Sequence, residues 1–419
     1  MKQILLILLA VGLFARSDSE LLDLAYKNAL RPTPNDFESL ISVLNTTTKE
    51  LTKEKVLLGK KLFFDKELSL AKDISCASCH SFDKGGADGR STAIGHKNQE
   101  NPFHLNTPTV LNTAFSKKFF WNGRSQTLQD QAKGPLQASF EMSITPELAQ
   151  KRIHDKKEYQ KIFFDVYGSS EVTFEKIADA ISAYEKTLVT RGRYDDFLLG
   201  YYDALSKDEK EGLELFITRG CVGCHNGIGL GGQVLRKFPL VYHPIWSFAT
   251  PVEVKTLQSK YESFLADVNS INFEDDASRL SYMKSKIGVK NVKLLEDGFF
   301  NQLTESQSLK IMTSIGCTQC HEGSTNSIKK DVVSKVSFPF ENKGEFLGAE
   351  DKKYFRVPLL RNIVKTKPYF HNGSVEKLED AIKIMGKHQV RTNLTDSDID
   401  KIVAFLKAVD GEITDFIKQ

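Results

Sequence analysis

All six cysteines of this 419-residue chain lie in three copies of one five-residue pattern, Cys-x-x-Cys-His. The cysteines are Cys76, Cys79, Cys221, Cys224, Cys317 and Cys320, and the histidines that follow are His80, His225 and His321. This spacing is the attachment signature of c-type haem, because two thiols one helical turn apart can each bond a vinyl group and the next imidazole reaches the iron. Zinc would need further Cys or His ligands nearby, and no cysteine is left over. The pattern predicts three covalently bound c-type haems.

The first residues have the pattern of an export signal. Met1-Lys2-Gln3 is a short positive start, residues 4–14 are almost all apolar, and Ala15 is a small residue suited to cleavage. The apolar run is too short to cross a bilayer as a helix, and no later run reaches about 20 apolar residues. We therefore expect residues 1–16 to be a signal peptide cleaved near Ala15, and a soluble periplasmic protein with no membrane span.

Composition limits the class of partner. Acidic and basic residues nearly balance, at a net charge of +3, which argues against a nucleic acid or a strongly acidic partner. The 28 Phe and 12 Tyr suit haem pockets, which are lined by apolar and aromatic side chains. The length allows two or three domains, each with its own core.

The apolar periodicity is helical, and convincing strands are absent. Residues 174–188 predict an amphipathic helix capped near Thr173, and residues 378–385 and 398–409 behave likewise, the last capped by Asp396 or Ser397. Residues 205–227 and 303–323 repeat a capped helix that runs into Cys-x-x-Cys-His, and a similar segment around Gly59 precedes the first motif. We expect an all-α fold of tandem cytochrome c-like domains, at 17–203 and 204–419, with an inserted third haem-binding segment at about 251–343.

Several short blocks occur in a characteristic order and spacing. They are Gly-His at 95–96, Asn-Thr-Pro-Thr-Val-Leu-Asn at 106–112, Phe-Trp-Asn-Gly-Arg at 120–124, Gly-Pro-Leu-Gln-Ala at 134–138, Glu-Met at 141–142, the second haem motif through 232, Val-Pro-Leu-Leu-Arg-Asn at 357–362 and Pro-Tyr-Phe-His-Asn-Gly at 368–373. In these blocks the chain resembles the bacterial dihaem cytochrome c peroxidase family over residues 57–411. The resemblance implies reduction of hydrogen peroxide to water with electrons from a small exported cytochrome c or copper protein, in an enzyme that is often a homodimer.

The resemblance implies roles around the first haem motif. His80 would be the proximal ligand of the peroxidatic haem, and His96 its removable distal ligand in the resting, oxidised enzyme. On its own, a histidine in a polar loop is expected to lie in solvent. Glu141 would be the acid-base residue, with Gln131 as a supporting polar neighbour. Peroxide cleavage needs such a group, because one oxygen must lose a proton and the leaving oxygen must gain one.

The resemblance also places residues between the two haems. Trp121 would shorten the path for electrons, and Arg124 would contact a haem propionate or form a local salt bridge. Asn106, Thr366 and Pro368 match the family's calcium site between the domains. Amide and backbone carbonyl oxygens are suitable hard donors, although these are also ordinary turn residues.

The second haem motif would receive electrons from the donor. Its iron would be held by His225 and Met385, and His371 would lie nearby without binding the iron. Methionine with histidine raises the potential of haem iron and suits an electron relay. Met385 also lies on the apolar stripe of its own helix, so plain core packing is the competing interpretation.

The third haem motif has no counterpart in the family. The simplest hypothesis is an added electron-transfer haem with His321 as its proximal ligand. The candidates for its far side are Met283, Met312, His243 or no side chain at all. A rival assignment pairs His321 with Met385, which is closer in sequence to His321 than to His225. We favour His225, because the Gly-rich segment at 226–232 follows it in the manner of the family.

Two other functions are open at this point. A dihaem oxidase that matures a tryptophan-derived cofactor in another protein shares the expected fold, but it has tyrosine in place of the methionine ligand, so Met385 argues against it. A multihaem electron carrier would need neither Glu141 nor a removable His96, and both residues are present.

Overall fold

The computed structural model describes residues 16–239, 338–390 and 392–417. The chain divides into two compact units, one formed by residues 1–240 and 338–419 and the other by residues 241–337. All described residues belong to the first unit. The predicted signal peptide up to Ala15, the third haem motif with Cys317, Cys320 and His321, and the candidate ligands Met283, Met312 and His243 lie outside the described residues.

Helices dominate the described unit. They are α1 (Asp18–Lys27), α2 (Phe37–Val43), α3 (Lys53–Phe64), α4 (Cys76–Cys79), α5 (Leu128–Gln137), α6 (Pro146–His154), α7 (Lys157–Tyr167), α8 (Phe174–Glu185), α9 (Arg193–Leu198), α10 (Lys207–Thr218), α11 (Leu378–Met385) and α12 (Asp396–Ala408). The short strands β1 (Thr190–Arg191) and β4 (Glu412–Ile413) pair antiparallel, as do β2 (Leu235–Lys237) and β3 (Tyr354–Arg356). The all-α prediction is confirmed apart from these strands. In the described ranges, no helix is long and apolar enough to cross a membrane.

The helix starts follow local capping chemistry. The Thr173 side chain accepts a hydrogen bond from Lys176 N and begins α8, as predicted. The expected cap of α12, Asp396 or Ser397, was wrong, because the helix begins after Thr395. The Thr395 hydroxyl accepts from Asp398 N, and the Asp398 carboxylate accepts from Thr395 N. This reciprocal capping box satisfies two backbone donors at once, which neither predicted cap does.

Two helix crossings use glycine in the same way. Helix α3 packs on α8, and α10 packs on α12. A Cβ atom on Gly59 would lie 1.8 Å from the Ala180 carbonyl oxygen, and one on Gly212 would lie 1.9 Å from that of Lys401. At each crossing the two backbones are therefore in direct contact, and a side chain at the glycine would force them apart.

The segments at 106–128 and 356–378 repeat one backbone at a constant offset of 250 residues. Asn112 and Asn362 both have left-handed backbones, with φ of 62° and 60°, and each begins a one-turn 3₁₀ helix. The bridges Phe119 to Ser125 and Tyr369 to Val375, and the starts of α5 and α11 at Leu128 and Leu378, keep the same offset. Together with the two glycine crossings, this repeat shows two copies of one helical arrangement.

The two copies contact each other through equivalent positions. Asn106 N donates to the His371 carbonyl at 2.8 Å, and Arg356 N donates to the Trp121 carbonyl at 2.8 Å. Arg356 is the counterpart of Asn106, and His371 is the counterpart of Trp121, at the same offset. The pair of bonds is therefore reciprocal, as in a symmetric dimer contact within one chain.

A buried ion pair fixes the second copy to the N-terminal segment. Asp195 and Arg361 are both fully buried and bond through two contacts of 2.8 and 2.9 Å. Arg361 Nε donates to the Ile228 carbonyl at 2.6 Å, and Asp195 accepts from Thr33 N and Gly192 N. Every charged oxygen of Asp195 is thus satisfied, which is what a buried charge requires.

Replacing either crossing glycine by alanine should destabilise the protein. Gly59→Ala or Gly212→Ala should lower the free energy of unfolding by about 3 kcal/mol, because the added methyl group overlaps a backbone carbonyl. Urea unfolding of the haem-loaded protein, followed by circular dichroism, measures this. The exposed Lys60→Ala on the same helix is the control and should change stability by less than about 0.5 kcal/mol. If both glycine variants had the stability of wild type, the direct backbone contact at these helix crossings would be contradicted.

The Asp195 pair should make stability depend on pH. Burial alone would raise the pKa of Asp195, but Arg361 and the bonds from Gly192 and Thr33 hold it below its ordinary value of 3.8. Stability from the ionised carboxylate is therefore present above pH 3.8 and is lost as pH falls through the lowered pKa. Asp195→Asn should cost about 3 to 5 kcal/mol at neutral pH. In urea unfolding, the difference in the free energy of unfolding between wild type and Asp195→Asn should become smaller in acid. A difference that does not change with pH would contradict this prediction.

Candidate active site

The first haem motif opens onto a cavity of about 390 Å³, here called the first cavity. Its lining brings together Cys76, Cys79, His80, Gln131 and Glu141, which the chain spreads over 66 positions. The other walls are mainly apolar and aromatic. A concave apolar space with a few convergent polar groups is the usual form of a cofactor pocket.

The histidine of the first motif is held in a tautomer that suits a metal ligand. His80 Nδ1 lies 2.9 Å from the Gly86 carbonyl, which can only accept, so Nδ1 carries the proton and Nε2 is left with a free lone pair. Burial lowers the pKa of His80, which also favours the neutral ring. The thiols of Cys76 and Cys79 form no disulfide, and burial raises the pKa of both.

These residues fit a covalently attached haem better than a metal bound by side chains alone. Within the described ranges, no group of three or more His, Cys, Asp or Glu could hold a metal ion. Two neutral thiols beside one oriented imidazole, on a pocket with apolar walls, are what thioether attachment and proximal ligation need.

The acid-base candidate lies in the same cavity. Burial raises the pKa of Glu141, and the positive charge of Arg124 opposes that shift in part. Arg124 lies over the Phe120 ring, with its guanidinium carbon 3.4 Å from the ring centre. Gly95 packs directly on this segment, because a Cβ there would lie 2.2 Å from the Phe140 carbonyl oxygen. The backbone at Glu141 is thus held against Gly95, and Glu141 lines the cavity.

His96 is buried, at 8% exposure, and does not lie in solvent. Its backbone N donates to the Glu141 carbonyl at 2.7 Å, and its buried Nδ1 has no partner among the described residues. Among the described residues, Gly95 lines the first cavity, but His96 next to it does not. The next two residues, Lys97 and Asn98, have left-handed backbones with φ of 56° and 57°.

The second haem motif opens onto a second cavity of about 200 Å³. Cys221, Cys224, His225 and Met385 all line it. Burial lowers the pKa of His225 to about 4, and its Nδ1 lies 3.3 Å from the Leu230 carbonyl, so this ring has the same tautomer as His80. Met385 ends α11, immediately before a π-helical turn, Gly386–Val390.

His371 lines the second cavity with its ring nitrogen already bonded. Nε2 lies 2.7 Å from Asn342 Oδ1, and the ring stacks on Phe355 at 4.7 Å between centres. Burial lowers the pKa of His371 to about 4, so the ring is neutral. These contacts occupy Nε2 and leave His371 as part of the aromatic wall.

Some residues line both cavities and form a shared wall, defined by Trp121, Arg356 and residues 106–109. Trp121 Nε1 donates to the Asn106 carbonyl at 2.8 Å, and the indole lies edge to face with His371 at 6.4 Å between centres. The reciprocal hydrogen bonds between the two copies run through this same wall.

The three predicted calcium ligands meet at the second cavity. The Asn106 amide nitrogen lies 2.5 Å from the Pro368 carbonyl oxygen, and the Thr366 hydroxyl donates to the Ile363 carbonyl at 3.2 Å. The two ends of an amide side chain are nearly interchangeable in shape, and turning it would place the Asn106 oxygen beside the Pro368 oxygen. Neighbouring oxygens of this kind are what a hard cation requires.

Two charged residues of the cavities were missed by the sequence analysis. Glu185 lines the first cavity at 6% exposure, its Oε2 has no partner, and burial raises its pKa to about 8. Its position four residues after Ile181, on the apolar stripe of α8, was the available signal. Arg356 lines both cavities, and its signal was the 250-residue offset from Asn106.

Comparisons with known proteins identify relatives of this chain. A family model described as di-haem cytochrome c peroxidase matches residues 53–203. The cytochrome c551 peroxidase of Nitrosomonas europaea is 34% identical over 361 residues, which cover 86% of this chain and 80% of the relative. That of Pseudomonas aeruginosa is 34% identical over 359 residues, covering 85% and 78%.

A solved structure shares the fold. It is that of a MauG-like protein associated with microbial copper homeostasis, with a TM-score of 0.56 and 23% identity, and the match covers 86% of this chain and 91% of the other. Since the two peroxidases are similar to this chain over most of their length as well as most of its own, the chain belongs to the di-haem cytochrome c peroxidase family.

Proposed function

We propose that this protein reduces hydrogen peroxide to two molecules of water. The reaction takes up two protons from solution and two electrons from a small exported cytochrome c or copper protein. The observation that carries the proposal is the position of Glu141. Its buried carboxyl shares one cavity with Cys76, Cys79 and His80, and burial raises its pKa. A carboxyl with a raised pKa can take up a proton and return it to a leaving group.

The chain's own residues divide the work in the first cavity. Bound haem supplies an iron that exchanges electrons with peroxide. Cys76 and Cys79 would hold the haem, and His80, oriented by the Gly86 carbonyl, would supply the imidazole ligand. Glu141 takes the proton from the near oxygen of peroxide and returns it to the leaving oxygen, and Gln131 on the same cavity wall contacts the peroxide as a polar neighbour.

The internal repeat supports the first cavity as the place where peroxide binds. Pro135 lies 250 positions before Met385, and each lines its own cavity from an equivalent helix. With haem bound, the thioether of Met385 would be available to hold the iron together with His225, whereas the proline side chain has no donor atom. The first cavity would therefore leave room for peroxide, and the second would suit an electron relay.

Electrons reach the first cavity through the shared wall. Trp121 lines both cavities, and its indole is held by the Asn106 carbonyl. We assign it the role of connecting the haem held by His225 and Met385 to the haem held by His80. That Met385 shares a cavity with His225 favours this pair over the rival pairing with His321.

His96 is assigned the role of a removable ligand that closes the site in the resting, oxidised enzyme. The left-handed Lys97 and Asn98 beside it store backbone strain, which is common at segments that switch conformation. The bond from His96 N to the Glu141 carbonyl couples this loop to the acid-base residue. A change in the loop would then open the site and adjust Glu141 together.

Further parts of the proposal come from the sequence. We propose a calcium ion held by Asn106, Thr366 and Pro368, which meet at one side of the second cavity. A third haem on Cys317 and Cys320 is proposed as an added electron-transfer station. Periplasmic location after cleavage near Ala15, and a homodimer, complete the proposal.

Replacing the acid-base carboxyl should stop peroxide reduction. Glu141→Gln should lower turnover by about 10²- to 10⁴-fold, because the amide cannot transfer the proton. Peroxide consumption with an artificial electron donor, in oxidised and half-reduced protein, measures this, and the haem content should match wild type. Glu147→Gln, an exposed residue on α6, is the matched control and should keep full activity. Normal turnover by Glu141→Gln would rule out its role, and haem-loaded wild type that consumes no peroxide in either state would rule out the function.

Giving the first cavity its own thioether should block the open position. Pro135→Met places in α5 the side chain that Met385 has in α11, so sulfur competes with peroxide for the iron. Turnover should fall at least about tenfold, and in half-reduced protein, from which His96 is released, the absorption spectrum should show an additional six-coordinate, low-spin haem. Pro146→Met, at the start of α6, should do neither. An unchanged spectrum with full activity would contradict the equivalence of the two positions.

A further inference from the structure

Arg356 is a buried cation without a described counter-charge. It is 4% exposed, and its side chain lines both cavities. Its backbone N donates to Trp121 and its Nε to the Phe120 carbonyl at 3.4 Å. Among the ion pairs of the described ranges, none includes Arg356, and burial alone acts on its pKa, lowering it to about 10. A guanidinium taken out of water without a carboxylate is strongly disfavoured.

The acidic side chains of the first cavity do not supply that carboxylate. Glu141 interacts with Arg124, and Glu185 has an oxygen without any partner. Neither contributes to the charge balance of Arg356. None of the other titratable groups on the two cavity walls is a carboxylate: they are Arg124, Arg236, His80, His225, His371, Tyr369 and the cysteines of the first two haem motifs. The missing anion therefore has to come from what fills the cavities.

The contrast with Arg361 shows what a completed site looks like in this protein. Arg361, five residues later, is equally buried, and Asp195 meets it with two bonds in a fork. Arg356 has a similar degree of burial and faces a cavity instead of an aspartate. The planar guanidinium is suited to bind a carboxylate in this paired way.

Haem carries propionate carboxylates on one edge of an otherwise apolar ring. We propose that Arg356 binds a propionate carboxylate of haem at the wall shared by the two cavities. This inference rests on the proposed function in that the cavities hold haem. Because Arg356 also donates to the carbonyls of Phe120 and Trp121, the same residue fixes the haem edge and the backbone of the relay tryptophan. Arg356 is thus a haem-binding residue that positions Trp121.

The charge of Arg356 should control how reduction couples to protons. Beside a guanidinium the propionate stays ionised across neutral pH in both oxidation states of the iron. Without it, the propionate pKa rises, and it rises further when the iron gains an electron, so reduction takes up a proton. The midpoint potential should then fall more steeply as pH increases.

The test compares the midpoint potential of each haem in wild type, Arg356→Gln and Arg356→Lys, by spectroelectrochemical titration between about pH 5 and pH 8. In Arg356→Gln the midpoint potential should fall more steeply with increasing pH than in wild type, with a slope that approaches one proton taken up per electron. Arg356→Lys keeps the charge but loses the fork, so its slope should lie between the two. Lys352→Gln, an exposed cation beside β3, is the control and should follow wild type. The haem whose midpoint potential differs between Arg356→Gln and wild type is the one that provides the carboxylate, and this identifies its cavity.

The outcomes separate this inference from the proposed function. The other titratable groups of the cavities, such as Glu141, Glu185 and His371, are the same in every variant, so the difference between slopes reports on Arg356. Haem-loaded Arg356→Gln with the potentials of wild type at each pH would overturn the role of Arg356 alone. Wild-type protein that binds no haem would overturn both proposals. If Arg356→Gln does not accumulate, Arg356→Lys provides the test. A pH dependence of the midpoint potential equal to that of wild type in Arg356→Lys would overturn the two-bond contact between Arg356 and the propionate.

Discussion

The arrangement of the site depends on two reciprocal backbone hydrogen bonds, from Asn106 N to the His371 carbonyl and from Arg356 N to the Trp121 carbonyl. They join equivalent positions of the two copies, so each copy contributes to the wall of the other's cavity. The residues that line both cavities are those at this junction. A contact that loosened would separate the cavities and remove Trp121 from the path between them.

Because the two copies share one backbone, a few side chains decide what each does. At one equivalent position the first copy has Pro135 and the second Met385, and in the proposed function this difference would decide whether a thioether is available to bound iron. The first copy also brings Glu141 into its cavity, and burial keeps that carboxyl ready to accept a proton. In the proposed function, side chains on a common backbone would thus separate peroxide chemistry from electron relay, and the contact between the copies would bring the two tasks close together.

Local patterns carried much of the prediction. The haem motifs were predicted from residue spacing, and α8 with its Thr173 cap was predicted from apolar periodicity and capping chemistry. The family resemblance predicted that Glu141 and Gln131 lie together. The Thr395 cap was missed because the choice between adjacent caps depends on a reciprocal bond. Arg356 and Glu185 were missed for a different reason. Their importance lies in being buried without an opposite charge beside them, and the available signals, a helical stripe and a repeat offset, predict their position but not that missing charge.

The buried charges of this unit fall into two groups. Asp195 and Arg361 satisfy each other away from the cavities, and this pair stabilises the fold by itself. Arg356 and the unpartnered oxygen of Glu185 face the cavities, where protein groups do not offset their burial. In the proposed function haem would supply such a partner only in the folded chain, so we expect haem binding to favour the folded state. The strongest coupling is expected at the shared wall, where Arg356 touches both cavities and also holds Trp121.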